Sequence, residues 1–452
     1  MTVIVDQNQK PATTCELAAN VSRSHWMKAI SGALDLAEGL PPGHSRRACW
    51  IAMQIADRMA FESADLANVY YAVLLKDIGC TANAARLFEI YGADDLQIKS
   101  DFRRVDAQDM LQLLRYVASH VTPFAPLRRR LARLIWIARN GKDMQRELIV
   151  DRCERGAELV RRMGLPAAVA QAISSLDEHW NGRGYPNHLA GAQIPILSRI
   201  ALAAQIAEVF YASGGPAQAT RQLCNRSGKT LDPNVVRAFL SVSADCGFWS
   251  NLANPNLAEL LDALFPAGHD YLMTKTEVNN SIEVLADVMD AKSPSLDGHS
   301  RRVARLAQVM AQRLNVPALS SLEIYHAALL HDIGKLGVSN AVLDKPQPWS
   351  ASDRAAYRRH VALSAEIVAS LPTLDAIVPL VAMHHERLDG IGFPHRPAAG
   401  DIPLGSRIIA VADAFDHLCR RHPQTPVSQI AAQLTQDAGL DQSIVAALAS
   451  VA

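Results

Sequence analysis

The sequence predicts an all-α fold laid down twice in tandem. Three observations predict it. Apolar residues recur with the 3.6-residue period of a helix in stretches such as RRVARLAQVMAQRL and SAEIVASL. Runs of β-branched residues, the mark of strands, are few. The third observation is a long internal repeat. GHSRRACWIAMQIADRM, LLKDIGC and LDEHWNGRGYPNHLAGAQIPILSRI are matched later by GHSRRVARLAQVMAQRL, LLHDIGK and HHERLDGIGFPHRPAAGDIPLGSRI. The separation of His44 from Asp77 equals that of His299 from Asp332, and Glu178 to Arg199 equals Glu386 to Arg407. At 452 residues the chain also exceeds one ordinary core, so a duplicated domain fits both size and register.

Composition narrows the function. Lys and Arg number 45, as do Asp and Glu, so no overall basic excess points to a nucleic acid polymer or an anionic membrane. The seven cysteines are scattered without a CxxC pair, as expected of reduced thiols in the cytoplasm. The first residues lack the basic and apolar regions of a signal peptide. No apolar run reaches the length of about 18 expected of a membrane span.

In chain order, residues 1–26 are polar and are expected to form a loose arm. The first domain is placed at 27–245. It carries an insertion, between about 83 and 150, that the second copy lacks. Within the insertion, PLRRRLARLIWIARN sets Arg128, Arg129, Arg130 and Arg133 among Leu127, Leu131, Leu134 and Ile135. That pattern is expected to be a helix packed on its own domain with a solvated basic face, a partner or anionic-lipid surface being the alternative. Residues 246–272, with two prolines, read as a helical linker, and the second domain is placed at 273–452.

The chemistry is concentrated in the second copy. His331 and Asp332 supply an imidazole and a carboxylate at one point of a helix, and His384 and His385 supply two further nitrogens. With His299, His360 and Asp413 they suit two divalent metals bridged by a carboxylate. Asp413 lies in the apolar stretch RIIAVADAF, where an unmatched charge would be costly and a metal would remove the cost. His326, His395, His417 and His422 are read as ordinary core or surface residues.

HDIGK, HHE with the following DG.G.P string, and the spacing to the Asp of RIIAVADAF together resemble the HD-GYP family of the HD phosphohydrolase superfamily. The resemblance covers nearly all of the second domain and, in degenerate form, the first. It implies one metal held by His299, His331, Asp332 and Asp413. A second would be held by Asp332, His360, His384 and His385, with Asp332 bridging. Iron or manganese is expected. Ser295 stands where some members carry a third-metal Glu, so two metals are expected. Lys335 would face a substrate phosphate. Asp389, Gly390, Gly392, Phe393 and Pro394 take the place of the GYP loop, which in this family is proposed to meet partners including GGDEF-type cyclases. The RPYR-like string beyond the last Asp is replaced by His422-Pro423-Gln424-Thr425, so Arg420 and Arg421 are the candidates for substrate contact. The family's HP..G after the third His reads His360-Val361-Ala362-Leu363-Ser364.

The resemblance implies a phosphodiesterase of cyclic dinucleotides, cyclic di-GMP first and cyclic GMP-AMP second. A mononucleotide phosphohydrolase and a non-catalytic adaptor are the alternatives. In the first copy, Lys76, Arg152, Leu176-Asp177 and Gln205 replace ligands, while His44 and Asp77 remain. Lys76 beside Asp77 can substitute an ion pair for metal charge. The loop Gly184-Tyr185-Pro186 is intact. The first domain is therefore expected to scaffold, dock partners or regulate rather than catalyse.

Overall fold

Gly43 and Gly298 both take left-handed backbone, at φ 80° and 64°, a conformation open to glycine with little strain. Each turns the chain into a helix whose first residue is a histidine: His44–Arg58 in the first copy and His299–Arg313 in the second. The next residue, Ser45 or Ser300, donates its N–H and hydroxyl to a buried carboxylate, Asp35 or Asp290. The structure, a computed structural model, describes residues 21–106, 108–122, 125–346 and 348–450. Among these the regular elements are helices, with isolated bridges and no strand. The all-α expectation is met.

In both halves a helix ends at the HD-type pair, and a glycine then passes close under another helix. A Cβ on Gly334 would lie 2.1 Å from the His360 carbonyl oxygen; on Gly79 it would lie 2.0 Å from that of Arg152. Such an approach admits only glycine. It presses the 3₁₀ turn Ile333–Gly337 against the helix Ala351–Ser370, which carries His360.

The insertion builds three short helices, Ala84–Tyr91, Asp95–Phe102 and Met110–His120, and lengthens the next one to Leu127–Arg162. A satellite core of Ile90, Val121, Ile137 and Met144 holds them together. Ile196–Arg226 is, among the described residues, the one helix long and apolar enough to cross a membrane. Its stretch from Leu197 to Phe210 is largely core, and the helix breaks at Gly214 and Gly215.

Of the segment expected as an arm, residues 1–20 lie outside the described residues. Val21 O accepts from Met273 N at 3.0 Å, and the helix Arg23–Ala37 begins two residues later. Within 246–272 the helices Cys246–Leu252 and Leu257–Leu264 lie against His44–Arg58, with Phe248 on Trp50 and Phe265 on Tyr70.

One hydrophobic core runs through both halves. Buried polar contacts cross between them. Lys292, fully buried, donates to Leu336 O at 3.1 Å and lies 3.4 Å from Asp95 of the insertion. Asp95, also fully buried, accepts from Asn340 N at 2.7 Å. Burial pushes Lys292 down to about 8 against the pull of the Asp95 carboxylate, with the Lys99 charge adding to the depression. Arg23 pairs with Glu277, which also closes the capping box of the helix Lys275–Asp290.

Asp95→Ala leaves buried cations unmatched. We expect a loss of about 3–5 kcal/mol in urea unfolding, partly recovered when Lys292→Met is added. Equal stability of Asp95→Ala and the parent would remove this contact from the account. A second expectation concerns His326, buried without a partner at Nε2 and pushed down to about 4 by burial. The unfolded chain takes this proton first as pH falls. The stability is therefore present above about 6.5 and lost toward about 4, by roughly 3 kcal/mol. His326→Leu should flatten that part of the acid limb in denaturation midpoints measured across the range.

Candidate metal centre

Besides His326, five imidazole nitrogens and one carboxylate oxygen of the candidate set end without a partner in the second half. The Nε2 atoms of His299, His331, His360, His384 and His385, and Oδ1 of Asp332, are buried and accept no hydrogen bond. The other ring nitrogen is tied to a backbone carbonyl in three of them. His331 Nδ1 donates to Ala328 O at 2.8 Å, His360 Nδ1 to Tyr357 O at 2.6 Å and His384 Nδ1 to Val381 O at 2.6 Å. A carbonyl only accepts, so the proton sits on Nδ1 and Nε2 presents a lone pair. Burying such lone pairs unmet is costly, and a cation is what meets them.

The free atoms form two groups, each drawn within 4.8 Å: Asp332, His360, His384 and His385 in one, His299, His331 and Asp413 in the other. Asp332 stands between them. Its Oδ1 lies 3.2 Å from His360 Nε2 and 3.8 Å from His384 Nε2. Its Oδ2 lies 3.3 Å from His331 Nε2 and 3.6 Å from His299 Nε2. Asp413 Oδ1 is 3.3 Å from His299 Nε2. The donor set and its division fit two divalent metals with a shared carboxylate.

Local structure explains the convergence. His299 opens a helix, His360 lies within Ala351–Ser370, and Asp413 lies within Leu404–Arg421. The sequence suggested that His331 and Asp332 sit on a helix; they stand instead where Ala318–Leu330 gives way to the 3₁₀ turn Ile333–Gly337. The close pass of Gly334 forces that change. His384 and His385 follow the short helix Val378–Ala382.

The electrostatics favour the ligand form at His384, His385 and Asp332 and oppose it at His299. Burial, then the neighbouring His385 and His331, pushes the His384 imidazole far below its ordinary range. Burial and His360 push His385 down to about 3. Both are therefore neutral, as metal ligands must be. Burial favours the protonated form of Asp332, yet His331 and Lys335 hold its carboxyl well below the usual range. Burial opposes the charged form of His299, but the carboxylates of Asp332, Asp413 and Asp416 around it hold its pKa well above the usual value, so a metal would have to displace a proton from this ring.

Lys335 pairs directly with Asp332 and lies 5.3 Å from the centre of the Tyr357 ring. Arg420 donates to the carbonyls of Asp297 at 2.7 Å and Pro294 at 3.0 Å, and Arg421 is exposed. Ser295 bonds Ser293 at 2.7 Å. In the GYP-type loop, Phe393 lies with its ring 4.7 Å from that of His385, and the Arg358 guanidinium stands 4.9 Å over the other ring, that of Phe393. Asp389 accepts from Ile391 N, and Arg387 bonds Asp389. Glu386 accepts from His395 N at 2.6 Å, which pins the segment after Gly392 and Pro394.

Sequence reasoning missed Asp416. It accepts from His299 Nδ1 at 2.8 Å and bonds Arg302, orienting the imidazole. Its spacing from Asp413, one helical turn on, was the available signal. The first half keeps this arrangement: Glu208 bonds His44 Nδ1 and Arg47.

In the first half cations gather around Asp77, and two cations, Lys76 and Arg152, stand at former ligand positions. Lys76 pairs with Asp77 and approaches His44 Nε2 at 3.2 Å. Arg103, from the insertion, bonds Asp77 and Glu38, each at 2.8 Å. Lys99 adds a contact to Glu38 at 3.1 Å. Glu38, Asp77 and Cys80 are close enough to hold an ion. The Arg103 guanidinium already bonds both carboxylates, and burial pushes the Cys80 thiol up. Arg152 bonds Asp177 at 2.7 Å.

A profile described as HD domain matches residues 134–235 and 283–444, in both halves. The chain is 36% identical over 400 residues to the 3′3′-cGAMP-specific phosphodiesterase 3 of Vibrio cholerae, covering 88% of this chain and 87% of that one. Over 169 residues it is 29% identical to a cyclic di-GMP phosphodiesterase of Thermotoga maritima, covering 37% of this chain and 44% of that one. A crystal structure of a cyclic GMP-AMP-specific phosphodiesterase of V. cholerae is similar with a TM-score of 0.64 and 32% identity, covering 95% and 97% of the two chains. The chain belongs to the HD-GYP family within the HD domain superfamily.

Arg103→Ala withdraws a cation from two buried carboxylates. The expected cost is about 3 kcal/mol of unfolding free energy, with bound metal unchanged. A loss below about 1 kcal/mol would show that Lys76 and Lys99 suffice.

Proposed function

We propose that this protein is a metal-dependent phosphodiesterase of cyclic dinucleotides, with 3′3′-cyclic GMP-AMP ahead of cyclic di-GMP. The observation that carries the reading is the pair of partnerless ligand groups divided by Asp332. The order of substrates rests on long matches: the relatives spanning 88% and 62% of the chain bear the 3′3′-cGAMP-specific name.

In this reading His299, His331, Asp332 and Asp413 hold one divalent cation, and Asp332, His360, His384 and His385 hold another, iron or manganese in each case. When bound, the cations supply Lewis acidity that lowers the pKa of water and neutralises charge on the phosphodiester. Asp332 keeps its charge through His331 and Lys335 and so stays available to both positions. Asp416 fixes the His299 ring, and the carbonyls behind His331, His360 and His384 keep their Nε2 lone pairs turned inward. Lys335 supplies positive charge to the phosphoryl oxygens as negative charge builds. Arg421 meets the second phosphate. Arg420 joins it only by leaving the carbonyls of Pro294 and Asp297. Phe393 covers one face of His385 and limits access of water. The first half binds no metal and acts as a support and docking domain. The two GYP-type loops, with Ile391 exposed at one tip, serve signalling partners such as GGDEF-type cyclases. The cytoplasm is the compartment this substrate and the unpaired thiols suit.

The test is metal analysis after anaerobic purification, with mass spectrometry of products from both cyclic dinucleotides and a mononucleotide panel. Two metals per chain are expected, and His384→Ala should lose the metal that His384 holds. Asp332→Ala should bring turnover to background. Turnover surviving in Asp332→Ala would sink the mechanism, and four metals per chain would sink the role given to the first half. Preferred cleavage of mononucleotides, or tight capture without turnover, would replace the substrate class or the enzyme reading respectively.

A further inference from the structure

Exposed apolar side chains cluster in the insertion. On the helix Leu127–Arg162, Leu127 is 69% exposed, Leu131 49% and Ile135 52%. They recur every four residues and form one stripe. This stripe is not the face that packs. Leu134, Ile137 and Met144 face the satellite core with Ile90 and Val121. The helix therefore has two apolar faces and only one is covered. Met110, Leu111 and Leu114 are likewise exposed on the neighbouring helix Met110–His120, which Arg130 ties to it through the Ala118 carbonyl.

The charge around this stripe has one sign. From Met110 to Lys142 the sequence contains no Asp or Glu, although the whole chain is balanced at 45 of each sign. Arg128, Arg139 and Lys142 fall on the same side as Leu131 and Ile135 at about 100° per residue, whereas Arg129 and Trp136 fall on the far side. A second copy seated on this face by two-fold symmetry would set the same cations against themselves. The occupant must offer negative charge and an apolar interior together.

We propose that this face docks the protein peripherally on an anionic phospholipid bilayer. Leu127, Leu131 and Ile135 enter the boundary below the headgroups, and Arg128, Arg139 and Lys142 beside them meet lipid phosphates. This is independent of what the metal centre hydrolyses.

Flotation of the full chain with vesicles of phosphatidylcholine alone, or mixed equally with phosphatidylglycerol, tests it. Bound protein should rise about tenfold on the anionic vesicles. Leu131→Glu with Ile135→Glu should reverse the gain, as should Arg128→Glu with Arg139→Glu. These positions are exposed, and unchanged metal content and circular dichroism verify folding of each pair. Equal binding to both vesicles overturns the proposal. So does anionic binding that survives the Leu131 and Ile135 changes, which would mark a surface for an acidic macromolecule. A concentration-dependent dimer abolished by those changes would assign the face to a second copy.

Discussion

A carboxylate buried at the end of a helix must be matched by positive charge, and both halves are organised around that requirement. In the second half Asp332 lies at the centre of inward-facing imidazoles. In the first half Asp77 occupies the same place, and its surroundings supply a lysine and an arginine instead. Desolvation of an isolated carboxylate costs far more than any single packing contact contributes. The fold therefore tolerates loss of the ligands only where cations arrive to take their place.

What surrounds that position has changed less than the position itself. The histidine opening the second helix is backed by an acid and an arginine in both halves, Glu208 with Arg47 and Asp416 with Arg302. The serine that follows bonds a buried Asp in both. The glycine of the DIG string passes equally close under the facing helix. These contacts hold the backbone, whereas the imidazoles pointing inward hold nothing but each other's vicinity. That division explains how one copy can keep the architecture without the donor set.

Much of this was legible in the residues because it is local or repeated. The HD and HH pairs, the Asp of RIIAVADAF and the equal spacings fix which side chains can converge, and helical periodicity fixes the class of fold. The remainder depends on partners far apart in the chain. Arg103 reaches Asp77 from an insertion with no counterpart to compare. Asp95 meets Lys292 across nearly two hundred residues. Arg420, a plausible phosphate ligand by position, is occupied by two carbonyls. Periodicity also showed PLRRRLARLIWIARN to be amphipathic without showing that Leu131 and Ile135 lie on an uncovered face while Leu134 and Ile137 lie on the packed one.

The buried contact between Asp95 and Lys292 bears on how such a duplicated chain can evolve. The Lys292 ammonium is fully buried, beside the turn that carries Asp332 and Lys335, and its matching carboxylate belongs to the other copy. Deleting the first half would strand that ammonium and expose the underside of the turn. A copy that has lost its reactivity can thus change at former ligand positions, so long as Asp77 stays matched by cations, and still be impossible to discard. Selection on it acts through charge and shape at the shared border, and relatives that retain only the second half would need a different residue at the place of Lys292.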